Sequence, residues 1–379
     1  MASSDTIKLT KFIQAMDSIY GPFPGPNDPN LTRWEPPPAA EGHRGRYLWT
    51  DGFAVVNFLT LHKTTGEQRY LTLATNLVTA VHNILGYTRD GTKRLPGATD
   101  DNPLGGGLRI GKHDESGPDG DGQYFHYLTV WMFALNRMTL VTGNKWYNDQ
   151  AVSMAKAVLP HFMTNTSAER PRMFWKVSMD LSYRLVNSEG NLDPIDGYVT
   201  YSLLQRLSDD HHVLDGEISA LKKIVDQKAP HYSTHDTLDI GVTLWTAHWL
   251  VPEPAWPPDK DWASQLQYRT LKNLAEIVDA GYFDHPLKSR LAFREFGTAL
   301  GVHTALPLLN KLKDPKVHKF SAESKLRTLP DRICQAWEAF GLVPVPDADT
   351  SQRLTELMPI TAVMYATALL PGLMVQQSP

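Results

Sequence analysis

Three segments of this chain open with aspartate and glycine and continue into aromatic residues: Asp51-Gly52-Phe53, Asp121-Gly122-Gln123-Tyr124 and Asp196-Gly197-Tyr198. A carboxylate can give or take a proton, and aromatic faces set among polar groups suit a sugar or another polyoxygenated ring. Tyr47 and Trp49 flank Asp51, His126 and Tyr127 follow Asp121, and Tyr201 follows Asp196. The second half repeats the mixture with His235, Asp236, Asp239, Trp245 and His248, then Arg290, Arg294, Glu295 and His303. Asp51 and Asp121 are the preferred catalytic pair, because both adjoin long loops and two opposed carboxylates can share acid and base duties in glycoside cleavage. Asp196, His126 and Glu295 complete the catalytic candidates. The candidate substrate contacts are Tyr47, Trp49, Arg109, His113, Tyr124, Trp175, Tyr201, Asp239, Trp245, His248, Arg294 and His303.

Each candidate has a plainer alternative. An aspartate at a helix start can simply cap it, accepting backbone N–H bonds at the positive end of the helix dipole. His126, His248 and His303 fall on inner helices, where imidazole can carry protons in an epimerisation or sit as a hydrogen-bonded core residue. Gly105-Gly106-Gly107 through Glu115 reads as a substrate-covering loop with Arg109 and His113 on it, or as a surface insertion. Trp175 lies in another long loop, expected as a short strand or lid element, and either stacks on the ligand or pins the loop. The acidic run Asp114, Asp119, Asp121 lacks the glutamate that closes a twelve-residue calcium loop. No His-Glu-x-x-His or Cys/His cluster points to zinc, so no metal and no cofactor are expected.

The elements that must position these residues are helices. Thr65-Gly66-x-x-x-Tyr70-x-x-x-Ala74 recurs as Thr142-Gly143-x-x-x-Tyr147-x-x-x-Ala151. In each copy glycine ends one helix and another begins at once, which makes an antiparallel hairpin. The 3.6-residue periodicity predicts about twelve helices, a lone one at 6 to 20 and then five pairs. The pairs are 48 to 63 with 67 to 85, 122 to 141 with 145 to 164, 196 to 207 with 214 to 228, 237 to 250 with 260 to 279, and 290 to 312 with 322 to 340. A last helix at 358 to 370 is expected to pair with the first and close a ring. The long connections 21 to 47, 86 to 120 and 165 to 195 all join hairpins. In such a ring they share one face with the Asp-Gly starts, which is where a pocket is expected to open.

Six hairpins in one ring resemble the (α/α)6 toroid of six-hairpin glycosidases, unsaturated glucuronyl hydrolases and N-acylglucosamine 2-epimerases. The resemblance is carried by the Thr-Gly-x-x-x-Tyr turns and the Asp-Gly starts, without a complete catalytic motif of one family. It implies an all-α fold, an (α/α)6 barrel with long loops over one face, formed by residues 1–379 as a single domain.

Composition narrows the function further. The chain has 379 residues, is 42% hydrophobic and 21% charged, and carries a net charge of −4. That gives enough apolar material for a large core and no broad positive field for nucleic acid or anionic lipid. Cys334 is the sole cysteine, so there is no internal disulfide framework. Neither a secretory leader nor a run of ~18 apolar residues is visible, and a cytoplasmic location without a membrane span is expected. The leading expectation is an intracellular carbohydrate-active enzyme, a glycoside hydrolase using Asp/Glu acid–base chemistry on a small glycoside. A sugar epimerase or isomerase using histidine, and a cyclase, lyase or isomerase of a non-sugar secondary metabolite, are the alternatives. A binding protein without catalysis is the fourth class.

Overall fold

A computed structural model of the protein describes residues 4–38, 45–117, 120–166, 168–251, 261–312, 323–341 and 357–376. Among them are twelve α-helices and only four two-residue strands. The helices are α1 (Ser4–Tyr20), α2 (Leu48–Thr65), α3 (Gln68–Leu85), α4 (Phe125–Thr142), α5 (Trp146–Phe162) and α6 (Asp193–Leu207). They continue with α7 (Asp215–Lys228), α8 (Thr237–His248), α9 (Trp262–Asp279), α10 (Ala292–Leu312), α11 (Glu323–Phe340) and α12 (Met358–Leu369). The apolar periodicity therefore locates every helix to within a few residues. None of those described is long and apolar enough to cross a membrane.

The chain divides into two compact units, one built on Met16–Val225 with Thr355–Val363, the other on Asp226–Leu354 with Met1–Ala15 and Met364–Gln377. In the first, α2, α4 and α6 are buried nearly all round, as apolar helices without a polar face must be. Helix α3 instead buries a single stripe, Tyr70, Leu73, Ala74, Leu77, Val78, Val81, His82 and Leu85, and leaves its other face half-buried or exposed. The hairpin turns form as the Thr-Gly pattern requires: Gly66 and Gly143 both have φ 73° and return their N–H groups to His62 and Thr139 at 2.8 Å.

One boundary differs from expectation. The helix expected from 122 begins at Phe125, because Gly122 has φ 146° and Gln123–Tyr124 form a short strand, β1. Strands β2 (Met163–Thr164) and β3 (Arg172–Met173) pair with each other, and β4 (Lys176–Val177) pairs antiparallel with β1 in the register Gln123↔Val177 and Tyr124↔Lys176. The loop after α5 is thus laced to the entrance of α4, with Trp175 immediately before β4. Trp131 Nε1 in the core donates to His82 Nε2 at 3.1 Å, joining α4 to α3.

In the second unit α8 and α10 cross at glycines. A Cβ on Gly241 would lie 2.1 Å from the Gly297 carbonyl oxygen, so only a hydrogen permits the approach. Helix α9 packs on α8, and α11 packs on α10.

Two stability measurements test this description. Gly241→Ala is expected to destabilise the fold by at least about 2 kcal/mol through the backbone clash. Gly216→Ala, on an exposed turn of α7 with nothing within 4 Å of the added carbon, is expected to stabilise by up to ~1 kcal/mol. Equal melting temperatures for the two variants would contradict the crossing. The second concerns acid. Burial lowers the His82 pKa from 6.5 to about 3, so between those values the unfolded chain binds the proton and the folded one does not. The His82 contribution is complete above 6.5 and is lost as pH falls toward 3. His82→Gln keeps an acceptor for Trp131, and its melting temperature should fall less than that of the wild type on acidification; parallel curves would refute the assignment.

Candidate active site

The starts of three neighbouring helices bring side chains together. Trp49 is the second residue of α2, His126 the second of α4, and Asp196 lies in the first turn of α6. Helix α4 packs against both α2 and α6, and each hairpin returns the chain before the next helix begins, so the three first turns share an end. The His126 and Trp49 rings lie 4.6 Å apart, and His126 Nδ1 is 2.5 Å from Asp196 Oδ2. Both members of this pair are buried, at 9% and 3% exposure. An ionised carboxylate only accepts, so the imidazole donates from Nδ1, and Nε2 of the neutral ring is its basic nitrogen.

Around the dyad runs a series of aromatic rings. Tyr127 lies 5.4 Å from Trp49 and 4.4 Å from Tyr124, and Tyr124 lies 5.0 Å from Trp175. Tyr124, Tyr127 and Trp175 are half-buried, whereas Tyr47 and Trp49 are buried. Trp175 is anchored at both ends: its carbonyl accepts from Phe125 N, and its Nε1 donates to Ser188 Oγ at 2.9 Å.

The preferred carboxylates, Asp51 and Asp121, are held by arginines. Asp51, 1% exposed, accepts from Arg46 Nε at 2.9 Å, Arg46 Nη2 at 3.2 Å and the Tyr20 hydroxyl at 2.8 Å. Burial, then the charge of Asp51, keeps the Tyr20 pKa well above its ordinary value. Asp121 accepts from Arg89 at 3.0 Å, Arg109 at 3.1 Å, Gly111 N at 2.9 Å and Gly122 N at 3.1 Å. Arg109 also donates to the Tyr87 and Ile84 carbonyls, so its fork faces this loop. None of the three Asp-Gly aspartates is an N-cap residue; side-chain caps come from Asp236 on α8 and Asp261 on α9.

The glycine-rich loop is fastened to the same place. Gln123, wholly buried, receives Leu108 N on Oε1 at 3.1 Å and donates from Nε2 to the Gly106 and Met179 carbonyls at 2.7 and 2.8 Å. His113 is exposed, its carbonyl accepting from Arg89. Asp119 of the acidic run lies outside the described residues.

Tyr201 requires a correction: it is 0% exposed and donates its hydroxyl to the Ala155 carbonyl at 3.0 Å. It lies five residues beyond Asp196, about 140° further round the helix, and so faces α5 instead of the dyad.

In the second unit most candidates have core partners. Glu295 is 0% exposed and accepts from Arg290 Nε and Nη2 at 2.6 Å each and from Trp337 Nε1 at 2.9 Å. Trp245, expected to contact substrate, donates Nε1 to the Met374 carbonyl at 2.7 Å. His248 Nδ1 meets the Trp245 carbonyl and its ring lies 4.4 Å from Trp249. Burial lowers the His303 pKa, with the Ala368 carbonyl opposing. Arg294 pairs with the capping Asp236, while Asp239 is exposed.

Sequence reasoning missed Tyr20, Arg46, Arg89 and Gln123. A signal for one of them was present: arginine stands five residues before the carboxylate in both Arg46–Asp51 and Arg290–Glu295, and both pairs are bidentate. Five residues before Asp196 the chain has Asn191, and Asp196 meets His126 instead.

No family model and no curated protein matches the sequence. Solved structures do match. A family 76 α-mannanase from Bacteroides thetaiotaomicron aligns with TM-score 0.55 at 11% identity, over 97% of this chain and 96% of that one. A family 76 glycoside hydrolase (mannosidase) from the same species aligns with TM-score 0.55 at 10% identity, over 97% and 99%. A family 76 glycoside hydrolase from a bovine strain of that species gives TM-score 0.57 at 12% identity, over 97% and 78%. These likenesses show the fold: it is all-α, of the (α/α)6 toroid type that the hairpin repeat resembles.

Proposed function

We propose that this chain is a carbohydrate-active enzyme, a glycoside hydrolase acting on a small glycoside, with His126 and Asp196 as its proton-transfer centre. The carrying observation is the 2.5 Å contact between His126 Nδ1 and Asp196, set against the Trp49 ring. Asp196 orients the imidazole and stabilises the imidazolium that forms when Nε2 takes a proton. In hydrolysis that proton comes from the water attacking the anomeric carbon as the bond from that carbon to the leaving oxygen breaks, and the imidazolium then returns the proton to the departing alkoxide. The half-buried rings of Tyr124, Tyr127 and Trp175 supply apolar faces for a pyranose. The mannose-directed names of proteins sharing the fold make α-mannosides the first substrates to try.

On this reading Asp51, Asp121 and Glu295 position the helix entrances, because each is engaged by arginine in a buried site. Removing one partner of such a pair leaves a buried charge uncompensated, at a cost of about 3–5 kcal/mol.

A second reading is favoured by the base being an imidazole. A sugar epimerase or isomerase would use the same dyad to remove a proton from carbon. Proton NMR in D2O separates the two: a hydrolase releases free sugar from 4-nitrophenyl α-mannoside or α-mannobiose, whereas an isomerase leaves the glycosidic bond intact and exchanges a carbon-bound proton of the free sugar.

His126→Ala and Asp196→Asn are expected to lower kcat of the folded protein about 100-fold or more, along with some loss of melting temperature from the broken buried pair. Asp51→Asn and Asp121→Asn are expected to lower the melting temperature while kcat of the folded protein keeps its order of magnitude. If instead the two arginine-bound carboxylates control turnover and the dyad does not, catalysis belongs to the Asp51–Asp121 pair.

A further inference from the structure

A second cleft lies against the exposed side of α3. Leu31–Arg33 form a short 3-10 turn, and Trp34 then turns extended, with φ −58° and ψ 128°, so that residues 34 to 36 run beside the helix. Asn76 on α3 fastens this strap: its Nδ2 donates to the Trp34 carbonyl at 3.0 Å and to the Leu31 and Thr32 carbonyls at 3.4 Å each. The Trp34 ring meets Phe58 edge-on at 6.2 Å. Between strap and helix is a space of about 400 Å³, within the ~300–1,000 Å³ typical of small-ligand sites. Its helical wall runs from Asn76 to Ile84, ~12 Å along one face of α3. Both walls are held by hydrogen bonds or helix, so the space exists before any ligand arrives.

The lining is of two kinds. Trp34, Pro36, Ala80 and Ile84 supply apolar surface, and Ile84 is 40% exposed on a helix whose other large aliphatic residues mostly face the core. Arg33, Glu35 and Asn83 supply polar groups; all three are exposed, and their side chains have no hydrogen-bond or ion-pair partner among the described residues. His126, Asp196 and the rings around them do not line this cleft.

The charges narrow the ligand. The Glu35 carboxylate disfavours an anion and the Arg33 guanidinium disfavours a cation. Sugar hydroxyls both donate and accept, so a neutral saccharide satisfies Glu35 as acceptor, Arg33 as donor and Asn83 as either. The C–H face of a pyranose suits the Trp34 ring and the apolar strip along α3. A zwitterion also matches both charges but leaves the length of that strip uncovered.

We propose that this cleft is a second saccharide site, separate from the dyad, which holds a neutral disaccharide unit against Trp34, Asn83 and the Arg33 and Glu35 side chains. The inference goes beyond the catalytic reading and does not depend on His126 or Asp196.

The test is nitrogen-15 NMR of the tryptophan indoles in the full chain, with the Trp34 signal assigned by its absence in Trp34→Phe. Titration with α-mannobiose, maltose and cellobiose is expected to shift that signal saturably for at least one of them. Glucuronate, glucosamine and leucine at equal concentration are expected to shift it less. Asn83→Ala and Glu35→Ala should each weaken binding about fivefold, as loss of one hydrogen bond does. Asn83 is exposed on a helix, where alanine is the better helix former, so that variant keeps the fold. Its turnover of 4-nitrophenyl α-mannoside should equal that of the wild type. No shift with any of the three disaccharides, a larger shift with a charged or zwitterionic control, or unchanged binding in both variants overturns the site. Loss of turnover in Asn83→Ala overturns its separation from the dyad. If the chain cleaves no glycoside while the Trp34 signal responds as expected, the catalytic reading falls and the second site stands.

Discussion

The cost of burying a carboxylate shapes this molecule. Asp51, Asp121, Asp196 and Glu295 are all buried at or near helix starts, where an ionised side chain survives only if opposite charge or donors surround it. Three of the four have arginine: Arg46 on Asp51, Arg89 and Arg109 on Asp121, Arg290 on Glu295. Guanidinium does not titrate near neutrality, so those sites hold fixed charge and serve as fasteners. Asp196 has an imidazole, the one common side chain that changes charge in that range. The same electrostatic constraint thus yields arginine-held joints at three places and, at the fourth, the His126–Asp196 pair to which we assign proton transfer.

The fasteners give the dyad its surroundings. Asp121 and Gln123 gather the backbone of the glycine-rich loop through Leu108, Gly111 and Gly122, and β1 pairs with β4 to bring Trp175 onto Tyr124. Arg46, Asp51 and Tyr20 tie the start of α2, from which Trp49 projects onto His126. Side chains on helix starts backed by buried ion pairs are held more firmly than side chains on free loops, which for the proposed site favours near-attack geometry over adaptability.

Much of the fold was legible in the sequence, because apolar spacing of 3.6 residues and the Thr-Gly turns are local signals. The start of α4 was not, since it depends on strand pairing between Tyr124 and Lys176, more than fifty residues apart. The chemistry-bearing residues were legible as types but not as partnerships. His126 and Asp196 were both candidates, yet their pairing depends on the contact between α4 and α6. Tyr201 and Trp245 were misplaced for a related reason: helices buried all round give no polar face to show which side meets the mouth and which meets the next helix. The five-residue spacing from arginine to carboxylate was visible and would have set Asp51 and Glu295 apart from Asp196, though not Asp121, whose arginines, Arg89 and Arg109, stand at other spacings.

The most direct test of this account is the tautomer of His126 at neutral pH, read by nitrogen-15 NMR of histidine-labelled protein with His126→Gln for assignment. A neutral ring protonated on Nδ1 is expected, with a strongly downfield Nδ1 proton that disappears in Asp196→Asn. A ring protonated on Nε2, or an Nδ1 signal indifferent to Asp196→Asn, would contradict it and return His126 to the role of a core residue.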